Sequence, residues 1–430
     1  MATVRIADGQ VLFPEMNVEP ADVLIDRDDG EILAVGEVAS ADTTLDADGG
    51  LVIPGLVNAH THAAMTLMRG YADDKPLDAW LQEDIWPVEA HLTAEDVRIG
   101  TELALVEMIE TGTIAFADMY FFMPAVVEAV ETAGLRACLG RGVITVGKDE
   151  EEAHEDFAAG MEFAETYDGA ADGRVRTRMM PHSLTTVGRE ALETFIPEIR
   201  EAGVPLHYHA NETTDEVDPI VEEYGVRPIE YAADLDMTRS NDFIAHGVHL
   251  DRSEIEILAE SGTGVVHCPA SNMKLASGMA PVQALLDAGV AVGLGTDGAA
   301  SNNDLDMFDE MRDAAMIGKL AADDASAVDA ETTVRMATAG GADLLGLDSG
   351  RIEAGANADL AVLDLDAAHL TPHHDLVSHL AYAVRGSDVR HTICDGRVLM
   401  HDREVQRLDA AAVRERAEAR ARDLVSRSTA

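Results

Sequence analysis

A chain of 430 residues, 47% of them apolar, can hold one large domain and a smaller companion, which excludes a disordered protein. Eighty acidic residues against 31 basic ones give a formal charge of −49, a surface that repels nucleic acid and anionic membranes at ordinary salt. The three cysteines, Cys138, Cys268 and Cys394, form no CxxC pair, which argues against a disulfide framework or a structural zinc knot.

The acid is spread along the whole length, and lysine occurs only at Lys75, Lys148, Lys274 and Lys319. A halophile's protein fits this pattern, because molar salt cuts the screening length to about 3 Å and silences self-repulsion. The opening MATVRIADGQVLF has no basic n-region, and no later apolar run is long enough to span a bilayer. The expectation is a cytoplasmic protein.

In chain order, residues 3 to about 53 read as short strands and hairpins. Asp28-Asp29-Gly30 lies between Val23–Ile25 and the run Ile32–Gly36, a hairpin signal. The same texture returns in Asp359–Leu365 and Val389–Val405, with Asp395-Gly396 as the turn. One small β-sandwich domain built from both chain ends, residues 1–53 and 350–430, is expected. Residues 409–428 read as a charged amphipathic helix, docked or solvated.

Residues 54–349 alternate differently. Apolar strand candidates fall at about 51–60, 113–120, 135–143, 175–183, 205–212, 242–250, 263–271 and 291–299. Helical periodicity fills the gaps, as in Ala94–Glu110 and Arg252–Ser261, and Gly134, Gly203 and Gly262 stand where helix C-caps are due. Eight βα units in about 300 residues predict a (β/α)8 barrel. A doubly wound sheet is the alternative, but no glycine-rich phosphate loop follows a strand.

Barrel chemistry sits at the C-terminal strand ends. Strand one ends in His60-Thr61-His62, and alternation puts both imidazoles on one face, as a divalent metal requires. An isolated HxH is more often a pair of packed histidines. Here the later strands end in His182, in His207 and His209 with Glu212, in His246, in His267-Cys268 and in Thr296-Asp297.

The segments PGLVNAHTH, HYHANET, AHGVHL, HCPASNMKLASG and GLGTDGAASNN resemble the successive signatures of the amidohydrolase superfamily, over essentially the whole chain. They are most similar to its mononuclear-metal aminohydrolases and chlorohydrolases. PVEAHLTAED and PHSLTT resemble the deaminases of 5′-methylthioadenosine and S-adenosylhomocysteine. The zinc-dependent cytidine-type deaminases carry PCxxC, which is lacking here.

The resemblance implies one divalent ion, zinc before ferrous iron, held by His60, His62, His209 and Asp297. It implies that His246, with Asp297, takes the proton of the attacking water. Glu212 would carry a proton to the ring nitrogen and then to departing ammonia. Glu89 would grip ribose hydroxyls, although a helix-leading charge beside the capping pair Thr93 and Asp96 is the plainer reading. His182 would face the substrate, or merely pack. Arg141 would meet an amino-acid carboxylate, or be a surface charge. His207 shares a strand face with His209, but the His-x-x-Glu spacing selects His209. Guanine, cytosine and s-triazine hydrolases share this ligand set, and a non-catalytic scaffold is a further alternative. The expected partner is a small purine nucleoside, bound by a single chain or a homo-oligomer.

Overall fold

The computed structural model describes residues 2–429. Strands from both chain ends join in one nine-stranded sheet. Its order is Glu404–Val405, Arg397–His401, Val389–Cys394, Leu360–Leu363, Leu51–Pro54, Thr3–Leu12, Val18–Asp26 and Glu31–Gly36, with Thr43–Asp46 also on Thr3–Leu12. Leu51–Pro54 pairs antiparallel with Leu360–Leu363, Ile53 opposite Ala361, so the first and last parts of the chain share a ladder. Val4, Ile6, Val23, Ile25, Leu360 and Val362 pack in a core cluster of their own. Alternate residues along these strands face that cluster, as a period of two demands.

The run expected as a single strand over 51–60 divides at Gly55. Residues Leu51–Pro54 serve the terminal sheet, whereas Leu56–Thr61 begins a parallel one. A Cβ at Gly55 would lie 2.3 Å from Ile114, so the crossing between layers needs glycine. The first parallel sheet runs Met180–Pro181, Arg136–Val143, Thr113–Tyr120, Leu56–Thr61, with Val175–Thr177 also on Arg136–Val143. The second runs His207–Ala210, Phe243–His246, Gly264–His267, Val292–Leu294. Parallel bridges Met179 to Leu206 and Ser183 to His209 join them at one edge. At the other edge the Asp297 amide donates to the His60 carbonyl at 3.0 Å, and the Thr296 amide to Asn58 Oδ1 at 3.0 Å. Helices lie between successive strands, including Ala94–Glu110 and Arg252–Ser261 with the expected bounds.

Buried Arg136 ties the layers together, its Nε donating to Asp359 Oδ2 at 2.8 Å. The helix Ala410–Ser428 is docked through Val413, Ala417 and Leu424. Arg427 and Arg420 of this helix reach buried Asp96 at 2.8 and 3.1 Å. Among the described residues no helix is long and apolar enough to cross a membrane.

These ion pairs neutralise only part of the acid. Adding KCl from dilute buffer to molar concentration is expected to raise the melting temperature, by on the order of 10 °C, as screening removes self-repulsion. A flat melting curve series would contradict this.

Asp304 offers a local pH test. Burial, with help from Asp309 and Glu107, pushes its carboxyl up to about 6. A carboxyl raised above its unfolded value adds stability that is complete below about 4 and lost as pH rises through 6. Asn keeps the one acceptor that Asp304 uses, toward the Asp306 amide at 3.0 Å. Asp304→Asn should therefore match the wild type at pH 4 and melt about 2 °C higher at pH 8. Equal melting at both pH values would sink the assignment.

Candidate active site

The site is built at the C-terminal ends of the parallel strands, where the backbone is repeatedly forced into an uncommon turn. Asn211, His246 and Asp297 all adopt left-handed φ values, 57°, 74° and 61°. Each costs on the order of 1 kcal/mol for a residue with a side chain, and each reverses the chain where a polar group must face inward. His60 and His62 come from Leu56–Thr61 and the turn after it, His209 from His207–Ala210, and Asp297 follows Val292–Leu294.

His60, His62, His209 and Asp297 are all buried, and their ligand atoms lie within 4.8 Å of one another. His209 Nε2 is 3.2 Å from His60 Nε2. Asp297 Oδ1 is 3.4 Å from His60 Nε2 and 3.2 Å from His62 Nε2.

The outer hydrogen bonds fix the tautomers. His62 Nδ1 donates to the Met119 carbonyl at 2.6 Å, and His209 Nδ1 to the His182 carbonyl at 2.6 Å. His207 Nδ1 donates to the Phe243 carbonyl at 3.1 Å, so its Nε2 accepts from His60 Nδ1 at 2.8 Å. All three inner nitrogens are thereby left to present lone pairs to one point, as metal-binding imidazoles do. Ser271 and Ser301 hydroxyls each donate to Asp297 Oδ2 at 2.7 Å, leaving Oδ1 for the centre. The donor set fits a single divalent ion.

Charge is arranged accordingly. Burial would raise the Asp297 carboxyl, but His60 and His62 hold it well below the carboxylate range. Burial pushes His60 down to about 4. Against its own burial, His62 is lifted to about 9 by Asp297. Metal binding displaces such a proton.

His246 Nδ1 donates to Asn272 Oδ1 at 2.9 Å, which leaves Nε2 as the acceptor, 3.5 Å from Glu212 Oε2. Burial raises the Glu212 carboxyl, opposed by His246. Ser277 Oγ donates to Glu212 Oε1 at 3.4 Å.

The cavity around these groups is also lined by Glu89 and His182. Glu89, pushed up to about 7 by burial, accepts from the Tyr120 hydroxyl at 2.6 Å. Burial and the neighbouring His62 and His60 bring His182 down to about 3, so it stays neutral. Its Nδ1 lies 2.9 Å from Thr186 Oγ1.

Arg141 is not brought to this cavity. Its neighbours Gly142 and Ile144 line the cavity, and Arg141 does not. Its Nε donates to Asp156 at 2.7 Å, beside Lys148 on the same carboxylate. This structure therefore pairs Arg141 with Asp156 rather than placing it on the cavity wall. Cys268 is fully buried with its thiol raised by burial, as befits a structural residue.

Several contributors escaped the sequence reading. Asn272, Ser271 and Ser301 lie within ASN and GAASNN, motifs recognised as strings without roles for each residue. Glu216, on the helix Thr214–Tyr224, accepts from the Glu212 amide at 2.9 Å and is pushed up to about 7 by burial. Trp80 and Trp86 supply an apolar wall of the cavity.

The comparisons agree with this geometry. The Amidohydrolase family model matches residues 51–399. A protein of Natronomonas pharaonis named 5-methylthioadenosine/S-adenosylhomocysteine deaminase is 67% identical over 428 residues, covering 100% of this chain and 99% of its own. A 5′-deoxyadenosine deaminase of Methanococcoides burtonii is 46% identical over 99% of both chains. The crystal structure of an adenosine deaminase from Xanthomonas campestris with bound zinc superposes with a TM-score of 0.92 at 36% identity, covering 99% of this chain and 98% of that one. Ligand set, matched span and full-length relatives agree: this chain belongs to the amidohydrolase family.

Proposed function

We propose that the protein is a metal-dependent hydrolytic deaminase that converts the 6-amino group of an adenosine derivative to an oxo group and releases ammonia. The observation that carries this reading is the convergence of three imidazole lone pairs and the Asp297 carboxylate beside Glu212 and His246 in one cavity. Zinc is the proposed ion, held by His60, His62, His209 and Asp297. When bound, it lowers the pKa of a water toward neutrality.

The chain's own groups do the rest. His246, oriented by the Asn272 contact at Nδ1 so that Nε2 faces the cavity, takes the proton of the water together with Asp297. Glu212 gives a proton to the ring nitrogen beside C6, which draws off the charge that develops as the water oxygen bonds to C6. Glu212 then takes up the proton of the C6 hydroxyl and passes it to the amino group, which leaves as ammonia as the C6 oxo bond forms, and the proton held by His246 and Asp297 restores Glu212. Burial that makes Glu212 hold its proton more readily suits it to both transfers. Glu89 receives ribose hydroxyls and His182 faces the base.

In fold terms, the two parallel sheets are read as one (β/α)8 barrel over residues 54–349. Their edge bridges at Ser183–His209 and at His60–Asp297 support that closure. The terminal sheet with its own core is read as a composite β domain, sandwich-like, from 1–53 and 350–430.

The test is ammonia release in molar KCl from adenosine, 5′-methylthioadenosine, 5′-deoxyadenosine, guanine, cytosine and a chloro-s-triazine. Turnover of at least one adenosine derivative and none of the last three is expected. Turnover confined to guanine, cytosine or the triazine would reject the reading.

A further inference from the structure

Three consecutive residues at the end of the strand Thr113–Tyr120 each hold a different piece of the cavity. Asp118 Oδ1 accepts from the Ala63 amide at 2.8 Å, which pins the turn just after His62. The Met119 carbonyl accepts from His62 Nδ1 at 2.6 Å. The Tyr120 hydroxyl donates to Glu89 Oε1 at 2.6 Å. The first two contacts serve the metal-facing side, and the third serves the side assigned to the sugar.

Glu89 depends on that third contact. It ends the four-residue helix Trp86–Glu89, on the long connection between Leu56–Thr61 and Ala94–Glu110. Among the described residues no other donor bonds its carboxylate. A glutamate side chain left free keeps rotamer freedom that a ligand must remove on binding. Tyr120 is the stiffer partner: its ring is buried, 5.1 Å from that of Phe121, and it lines the cavity beside Glu89. With Oε1 fixed by the hydroxyl, Oε2 is left to accept from a ligand. Burial pushes the Glu89 carboxyl up to about 7, and the Tyr120 hydrogen bond opposes that rise. The bond thus favours the carboxylate, the form that accepts from two hydroxyls.

From this geometry we infer that Tyr120 is a positioning residue for ribose recognition: it orients Glu89 toward the 2′- and 3′-hydroxyls of the nucleoside. The inference rests on the deaminase reading above, in which Glu89 receives ribose hydroxyls, and adds the group that prepares Glu89 to do so. It also gives the strand end a second use. The base and the sugar of a nucleoside are held a fixed distance apart by covalent bonds. Met119 and Tyr120 are adjacent on one strand, so the metal side and the sugar side are referred to the same rigid element. Gripping the sugar then places C6 as well.

Tyr120→Phe keeps the buried ring and removes only the hydroxyl. For the adenosine derivative turned over fastest in the panel above, this variant is expected to raise KM about tenfold in molar KCl, with kcat changed by less than about threefold. The inhibition constant of 2′,3′-dideoxyadenosine, which lacks both hydroxyls, should move by less than about twofold. In a Glu89→Ala background, Tyr120→Phe should change KM by less than about twofold, because the group it acts through is gone. A merely structural role would weaken both nucleosides alike. Equal losses for the two nucleosides, an unchanged KM in Tyr120→Phe, or losses that multiply in the double variant would overturn the inference while leaving the deaminase reading intact. Ammonia from no adenosine derivative with the unaltered protein would instead reject that underlying reading.

Discussion

Glu212→Gln is expected to lower kcat by at least about a hundredfold while leaving the metal content unchanged. The amide keeps the size of the side chain and can still accept from Ser277, but it cannot pass a proton to the ring nitrogen or to departing ammonia. A hundredfold corresponds to about 2.7 kcal/mol of transition-state stabilisation. Glu212 lies 3.5 Å from His246 and is not one of the four metal-facing groups. Its loss should therefore spare the ion. Glu89→Gln makes the contrast. A contact to ribose is shared by ground and transition states, so this variant should mainly raise KM. Steady-state kinetics with elemental analysis on the same samples checks both. Near-normal kcat in Glu212→Gln, or a loss of its metal, would refute the role assigned to it.

His62→Ala and Asp297→Ala should each abolish both the bound ion and the activity, against about one ion per chain in the wild type. Each removes one of only four donors, and Asp297 also neutralises its neighbours. Without it the Ser271 hydroxyl loses its acceptor, whereas Ser301 can still donate to the Gly298 carbonyl, so this variant should also melt lower. Treating the wild type with a chelator should lower its melting temperature too, since an ion that binds only the folded state stabilises it by mass action. Readdition of zinc should restore the wild type and not His62→Ala. A fully active, metal-replete His62→Ala protein would be decisive against this centre.

The strands and their end residues were legible because buried parallel strands are short apolar runs, and their C-terminal ends are marked by histidines. Thr113–Tyr120 and Arg136–Val143 fall where the pattern placed them. The split at Gly55 was not legible, because Leu51 to Val57 is apolar on both sides of it and hydropathy cannot tell which sheet a residue joins. His60, His62, His209 and Asp297 could be named from resemblance, but the reason their inner nitrogens are lone pairs could not. That reason lies in partners distant in sequence, Met119, the His182 carbonyl and the Phe243–His207–His60 relay. The pairing of Arg141 with Asp156 was not legible, because a motif position does not name the partner a side chain takes. Asn272 and Glu216 act through hydrogen bonds that no spacing rule records.

The shared ladder between Leu51–Pro54 and Leu360–Leu363 bears on how the protein is made. During synthesis the earlier strand leaves the ribosome about 300 residues before its partner, roughly 15–60 s at common elongation rates. Through that interval its outer edge is an unsatisfied row of amides and carbonyls in an apolar sequence, open to pairing with other nascent chains. Such long-range pairing is slow to form. Translation stalled before residue 360 should therefore yield aggregation-prone chains. Supplying residues 350–429 as a separate polypeptide should suppress that aggregation by completing the ladder.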